Sequence, residues 1–125
     1  MSYETLIAAA GSVVIEPRGT SMLPFLKEGR DSVRLVRPTA DPRKYDIVLY
    51  RVRDEYVLHR IIGFDGDDYI ICGDNCRGWE HGHGRGDIIA VVDEIYRNGR
   101  PEKIYERLWC SSLLKRIIMK LKAQR

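Results

Sequence analysis

The chain has 125 residues, of which 44% are hydrophobic and 31% are charged. These values are typical of a single globular domain with its own core, and they exclude a disordered or fibrous chain. The formal net charge of +3 is too small to indicate nucleic-acid binding, so we expect no nucleic-acid partner.

The sequence shows no targeting segment. No window reaches the roughly 18–20 apolar residues of a membrane-spanning helix. The first residues lack the basic start and the apolar run of a secretory signal. The three cysteines, Cys72, Cys76 and Cys110, are an odd number, which favours reduced thiols and a cytoplasmic protein.

The first predicted element is a short helix over residues 3–10, which have helix-forming composition and end at Gly11. From Ser12 onward, alternating or β-branched segments predict strands joined by short polar turns. The loop at 73–87 holds five of the eleven glycines. The predicted strands are Val13–Ile15, Asp31–Arg37, Asp46–Val52, Tyr56–Phe64, Tyr69–Cys72 and Ile88–Tyr96.

Short strands with no helices between them predict a mainly β fold, a twisted and partly closed antiparallel sheet over residues 1–100. Residues 101–125 form a second predicted unit, an amphipathic helix with seven Lys/Arg and two Asp/Glu. This basic helix either docks on the sheet or makes a peripheral contact with an anionic membrane surface.

One stretch between two predicted strands, RGTSMLPFL at 18–26, contains a serine that a turn does not require. Ser21 is either an ordinary turn residue or a nucleophile, and a nucleophilic serine needs a nearby base. His59 lies within the apolar strand sequence VLHRII, on the same strand face as Val57 and Ile61. The alternative for His59 is a half-buried structural histidine.

Four motifs in chain order, GTSMLP, DIVLY, VLHRIIG and GDN, resemble those of the serine peptidases that include type I signal peptidases and LexA-like self-cleaving repressors. The resemblance extends from about residue 14 to 98. It implies the partly closed β domain of that family and a serine endopeptidase without a cofactor or a metal. It assigns the nucleophile to Ser21. His59 stands where bacterial members have a lysine base, as in the endoplasmic-reticulum and archaeal branch.

Two acids are candidates to orient His59, since a histidine base benefits from a neighbouring carboxylate. Asp74, in the GDN motif, matches the acidic position of the family, and Glu80 falls where the histidine branch often has a second acid. We rank Asp74 above Glu80. The alternative for Asp74 is a turn residue between Gly73 and Asn75.

The same resemblance predicts the substrate-binding residues. Gly19 lets the backbone approach the substrate carbonyl, and the N–H of Ser21 helps to form an oxyanion hole. Thr20 is a further hydroxyl candidate there. Met22 lines the pocket, and Pro24 ends the turn.

The resulting hypothesis is an endopeptidase that cleaves an extended precursor or leader peptide, which pairs with a sheet edge as an additional strand. The absence of an anchor suits an intracellular substrate. The alternative is a peptide-binding module on the same scaffold with an inactive centre.

A zinc-stabilised domain is a further alternative, because Cys72, Cys76, His81 and His83 follow the spacing C-x₃-C-x₄-H-x-H. That spacing matches no common zinc finger. Histidines flanked by glycines in a loop are also more often simply exposed. We therefore expect no metal.

Overall fold

The computed structural model of the chain describes residues 2–101. The predicted N-terminal helix is confirmed as α1 (Tyr3–Ala10). It begins at Ser2, whose hydroxyl accepts a hydrogen bond from the N–H of Thr5 at 3.1 Å, and it ends at Gly11 with a φ of 85°. The predicted helix over 101–125 lies outside the described residues, apart from its first position.

Eight strands follow α1, and all the predicted strands are present with bounds shifted by one or two residues. The prediction that residues 73–87 form a loop is wrong in part, because this segment contains a short strand at Glu80–His83 and a 3-10 turn at Arg85–Asp87. The strands are β1 (Ser12–Ile15), β2 (Asp31–Val36), β3 (Ile47–Val52), β4 (Glu55–Asp65), β5 (Asp68–Cys72), β6 (Glu80–His83), β7 (Ala90–Arg97) and β8 (Arg100–Pro101).

The strands form one antiparallel sheet in the order β1-β2-β7-β3-β4-β5-β6, and β8 pairs with β7. Within the part of the chain that the structure describes, β1 and β6 are the two ends of this order and do not pair. The predicted partial closure is therefore not observed. Each of the two terminal strands has four residues and pairs with one neighbour, so the sheet is open.

Two apolar clusters cover the faces of the sheet. The larger one packs α1 and the 21–26 turn onto the sheet through buried residues such as Ile7, Met22 and Leu26. The smaller one includes Tyr50 and Ile61. Alternation along β4 places Tyr56 and Leu58 with the first cluster and Val57 with the second. His59 therefore projects on the face of the second cluster.

Among residues 2–101, no helix is long and apolar enough to cross a lipid bilayer. The α-helix α1 has eight residues.

Candidate active site

Ser21 lies in the turn between β1 and β2, at the entrance of the helical turn that buries Met22 and Leu26. Its carbonyl accepts a hydrogen bond from the N–H of Asn75 at 2.7 Å. The side-chain amide of Asn75 donates to the carbonyl of Thr20 at 3.1 Å. The loop that carries the GDN motif therefore holds the Ser21 backbone at two adjacent positions.

Ser21 and His59 are neighbours in space, on either side of Gly73. A Cβ atom placed on Gly73 would lie 2.7 Å from the carbonyl oxygen of Ser21 and 2.9 Å from Nε2 of His59. It would also lie 2.6 Å from Sγ of Cys76. Only a glycine fits where these groups converge. The sequence hypothesis requires the side chains of Ser21 and His59 to meet; the structure brings the backbone of Ser21 and the ring of His59 together at Gly73.

Within residues 2–101, no hydrogen bond joins Oγ of Ser21 to the imidazole of His59. The N–H and the hydroxyl of Ser21 likewise make no hydrogen bond to other described residues. Contacts between a nucleophile and its base are often long in ligand-free enzymes and tighten when substrate binds. An unpaired N–H is also what an oxyanion donor requires before substrate arrives.

A hydrogen-bond chain on the other side of the ring sets the tautomer of His59. The hydroxyl of Tyr50 donates to Oε1 of Glu80 at 3.0 Å, and its oxygen lies 3.3 Å from Nδ1 of His59. A phenol has one hydrogen to donate, so Nδ1 must carry the hydrogen that joins the ring to Tyr50. The free lone pair is then on Nε2, the nitrogen that faces Gly73 and the Ser21 backbone.

The carboxylate of Glu80 is held in turn by several groups. Its Oε1 lies 3.8 Å from Nδ1 of His59, and its Oε2 lies 3.4 Å from Nε2 of His83. The ring of His83 packs against Tyr50 with centroids 4.8 Å apart. Burial raises the pKa of Tyr50, and the negative charge of Glu80 raises it further, so this phenol stays protonated.

Burial lowers the pKa of His59 below its ordinary value of 6.5, while the negative charges of Glu80 and Asp74 act in the opposite direction. The imidazole is therefore neutral at pH 7, as a general base must be. Because the unfolded chain binds this proton more readily, the contribution of His59 to stability is full above about pH 6.5. It decreases as the pH falls from there through the lowered pKa.

Replacing Glu80 with Gln is expected to lower the pKa of His59 further, because the carboxylate charge that favours the imidazolium is lost while the burial is kept. An NMR titration of the His59 ring measures this shift directly. The acid limb of any pH–rate profile for kcat/KM should move to lower pH by the same amount.

Glu55→Gln is the matched control for that experiment. Glu55 is an exposed acid at the start of the same strand as His59, and it is not among the groups that shift the pKa of His59. An unchanged His59 titration in Glu80→Gln, or an equal shift in Glu55→Gln, would contradict the role assigned to Glu80.

Asp74, ranked first from the sequence as the acid partner of His59, is bound to Arg60. Its two oxygens accept hydrogen bonds from Nε of Arg60 at 2.9 Å and from Nη2 at 3.0 Å. The two side chains are 0% and 1% exposed. Arg60 also donates to the carbonyl of Tyr45 at 2.8 Å and stacks on the ring of Phe25. Asp74 therefore acts on His59 through its charge, and Glu80 is the acid in the hydrogen-bond chain.

A cleft of about 730 Å³ opens in front of Ser21 and His59. One wall is the segment 15–19 that leaves β1, and the other is the first half of β4. Within the described residues, β4 pairs with β5 only from Arg60 onward. The backbone of residues 55–59 therefore pairs with β3 alone, and its other edge is open to the cleft.

The predicted substrate-binding residues lie in different places. Gly19 and Met22 line the cleft. Gly19 has a φ of 80°, which favours glycine at this bend. Thr20 and Pro24 are exposed and are not part of the cleft lining.

The four residues of the zinc alternative do not assemble around one point. Residues 2–101 contain no group of three or more His, Cys, Asp or Glu side chains that could hold a metal. Sγ of Cys72 is buried and contacts the backbone carbonyls of Gly73 and Gly78. His81 is exposed on β6, and His83 contacts Glu80.

Sequence reasoning missed three residues of this site. Tyr50 and Arg60 read as ordinary members of strands, and Gly73 reads as a turn residue. The alternation of side chains along the two strands could have identified Tyr50 as a neighbour of His59. In the β3–β4 hairpin, Val48 pairs with His59 and Tyr50 pairs with Val57. A short turn between these strands predicts that pairing, and it places Tyr50 and His59 on one face.

No model of a known protein family matches this chain, and no protein with a curated description matches it.

Proposed function

We propose that the protein is a serine endopeptidase that resembles signal peptidases, with Ser21 as nucleophile and His59 as general base. The observation that carries the proposal is the convergence of the Ser21 carbonyl and Nε2 of His59 within 3.0 Å of one position at Gly73. The hydrogen-bond chain from Nδ1 to Tyr50 and Glu80 supports it, since it leaves Nε2 free to accept a proton.

In this mechanism Oγ of Ser21 attacks a peptide carbonyl while Nε2 of His59 takes the hydroxyl proton. The N–H of Ser21 donates to the developing oxyanion. The imidazolium is stabilised by the Tyr50 oxygen and the charge of Glu80, and it then protonates the departing amine. Water, deprotonated by the same nitrogen, hydrolyses the ester on Ser21 and regenerates the free hydroxyl.

The substrate is an extended peptide that lies in the cleft as an additional strand. Antiparallel pairing alternates, and Ile61 exchanges backbone hydrogen bonds with the β3 side at Tyr45 and Asp46. The backbone groups of Tyr56 and Leu58 therefore point away from β3, towards the cleft. A peptide strand placed there satisfies these groups and delivers one of its carbonyls to Ser21.

Ser21→Ala is expected to abolish cleavage of proteome-derived peptides. Cleavage is measured by mass spectrometry, as new peptide N-termini. His59→Ala should do the same, because Oγ then keeps its proton. Ser12→Ala, a serine on β1 outside the cleft, is the matched control and should cleave as wild type does. Equal cleavage by wild type and Ser21→Ala would refute the proposal. A wild-type protein that binds these peptides without cleaving them would identify an inactive peptide-binding module.

A further inference from the structure

A reduced cysteine, Cys76, places its thiol beside the base of the proposed centre. A Cβ atom on Gly73 would lie 2.6 Å from Sγ of Cys76 and 2.9 Å from Nε2 of His59. A space about the size of a methyl group therefore separates the sulfur from the nitrogen that carries the free lone pair. The proposed mechanism does not use this thiol.

A second thiol, Cys72, lies at the end of β5 and differs from Cys76 in its exposure. Cys72 is buried, and its Sγ lies 3.2 Å from the carbonyl oxygen of Gly73 and 3.3 Å from that of Gly78. Cys76 is partly exposed, and residues 77–79, which follow it, are exposed. A reagent in the solvent therefore reaches Cys76 and not Cys72.

The surroundings of Cys76 favour the reactive form of a thiol, the thiolate. A neighbouring proton acceptor or positive charge promotes this form. Nε2 of His59 is such an acceptor, and the next residue in the chain, Arg77, carries a positive charge. Burial and Glu80 are the main causes of the raised pKa of Tyr50, and a negative charge on Cys76 raises it further. The sulfur is therefore close to the hydrogen-bond chain of His59.

We infer that Cys76 is a site of reversible modification by low-molecular-weight disulfides, and that a group attached to its sulfur blocks Nε2 of His59. In this exchange Sγ attacks one sulfur of the small disulfide and gives its proton to Nε2. A new S–S bond forms, the original S–S bond breaks, and the departing thiolate takes the proton. The small disulfide is the oxidant, since half of it leaves as a thiol.

A group on Sγ of Cys76 has no room beside His59. Even the single methyl group of an alanine at position 73 would lie within 3.0 Å of both Sγ and Nε2. The added sulfur must therefore displace the imidazole ring or fill the space in front of Nε2. The modification itself does not depend on the proposed function, but its effect on cleavage rests on that function.

The test incubates the full-length protein carrying Cys110→Ser with oxidised glutathione, so that two of the three thiols remain. Peptide mapping by mass spectrometry measures the rate of modification at each cysteine, and NMR records the His59 ring. We expect Cys76 to react at least about tenfold faster than Cys72. The His59 signals should shift as Cys76 reacts, and they should return when dithiothreitol removes the group.

Three variants of this protein assign the reactivity. His59→Ala should slow the modification of Cys76 about tenfold, because the proton acceptor is lost. His81→Ala removes an exposed histidine on β6 and is the matched control, with an unchanged rate. Oxidised glutathione should lower peptide cleavage by the parent protein in proportion to the modified fraction, and should leave cleavage by Cys76→Ser at its untreated rate. Thermal melts verify that each variant is folded.

The outcomes separate this inference from the proposed function. Unmodified Cys76, an equal rate at Cys72, an unchanged rate in folded His59→Ala, or modified Cys76 with unshifted His59 signals would overturn the inference. Full cleavage by the modified protein would also overturn it. Modification of Cys76 with shifted His59 signals, combined with no cleavage by the untreated protein, would overturn the endopeptidase and leave the modification site standing.

Discussion

Gly73→Ala is expected to reduce peptide cleavage by about 100-fold, because the added methyl group must displace the residues that form the centre. Its Cβ would lie 2.7 Å from the Ser21 carbonyl and 2.9 Å from Nε2 of His59. One of these neighbours is backbone and the other is a ring held by Tyr50, so neither yields easily. A misplacement of about 1 Å between reacting groups costs about that factor in rate.

Gly78→Ala is the matched control, in the same loop. A Cβ at Gly78 meets nothing within 4 Å, so cleavage should remain at the wild-type level. The measurement is kcat/KM on a peptide that the wild-type protein cleaves, and the NMR signals of His59 report the displacement independently. Wild-type kcat/KM and unshifted His59 signals in Gly73→Ala would show that the Ser21 carbonyl and the His59 ring do not converge at Gly73.

Arg60→Met is expected to lower the free energy of unfolding by about 3–5 kcal/mol, because it leaves the Asp74 carboxylate buried without its main partner. Arg60 and Asp74 are joined by two hydrogen bonds of 2.9 and 3.0 Å, and their side chains are almost completely buried. Urea denaturation measures the loss. Adding Asp74→Asn should recover part of the stability, because the uncompensated charge is then removed.

The Arg85–Asp41 ion pair provides the control. Its Nε–Oδ1 distance is also 2.9 Å, but its side chains are 63% and 71% exposed. Exposed pairs contribute about 0–1 kcal/mol, so Arg85→Met should have little effect. Equal losses in the two variants would mean that burial does not determine the strength of the Arg60–Asp74 pair.

The Arg60–Asp74 pair also explains how the site is assembled. Arg60 follows His59 on β4, and Asp74 lies between Gly73 and Asn75, which contact His59 and the Ser21 backbone respectively. The ion pair thus joins the strand that carries His59 to the loop that holds the backbone of Ser21. Loss of the pair should disturb cleavage as well as stability.

The strands and α1 could be predicted because their signals are local. Alternation of apolar and polar residues predicts a strand that is half buried, and Ser2 and Gly11 mark the ends of the helix. The strand β6 was missed because its sequence, EHGH, contains no apolar residue. It pairs with β5 at Tyr69 and Ile71, so its position depends on the partner strand and not on its own sequence.

The sequence by itself determined that a serine in a turn and a histidine in a strand were candidates, because residue type and alternation are properties of short segments. Only the tertiary structure decided which acid serves which partner. Asp74 and Glu80 are equivalent as carboxylates, but Arg60 occupies the first and Tyr50 links the second to His59. The physical reason is that buried charges and hydrogen bonds are satisfied by neighbours in space, and sheet pairing brings those neighbours from distant parts of the chain.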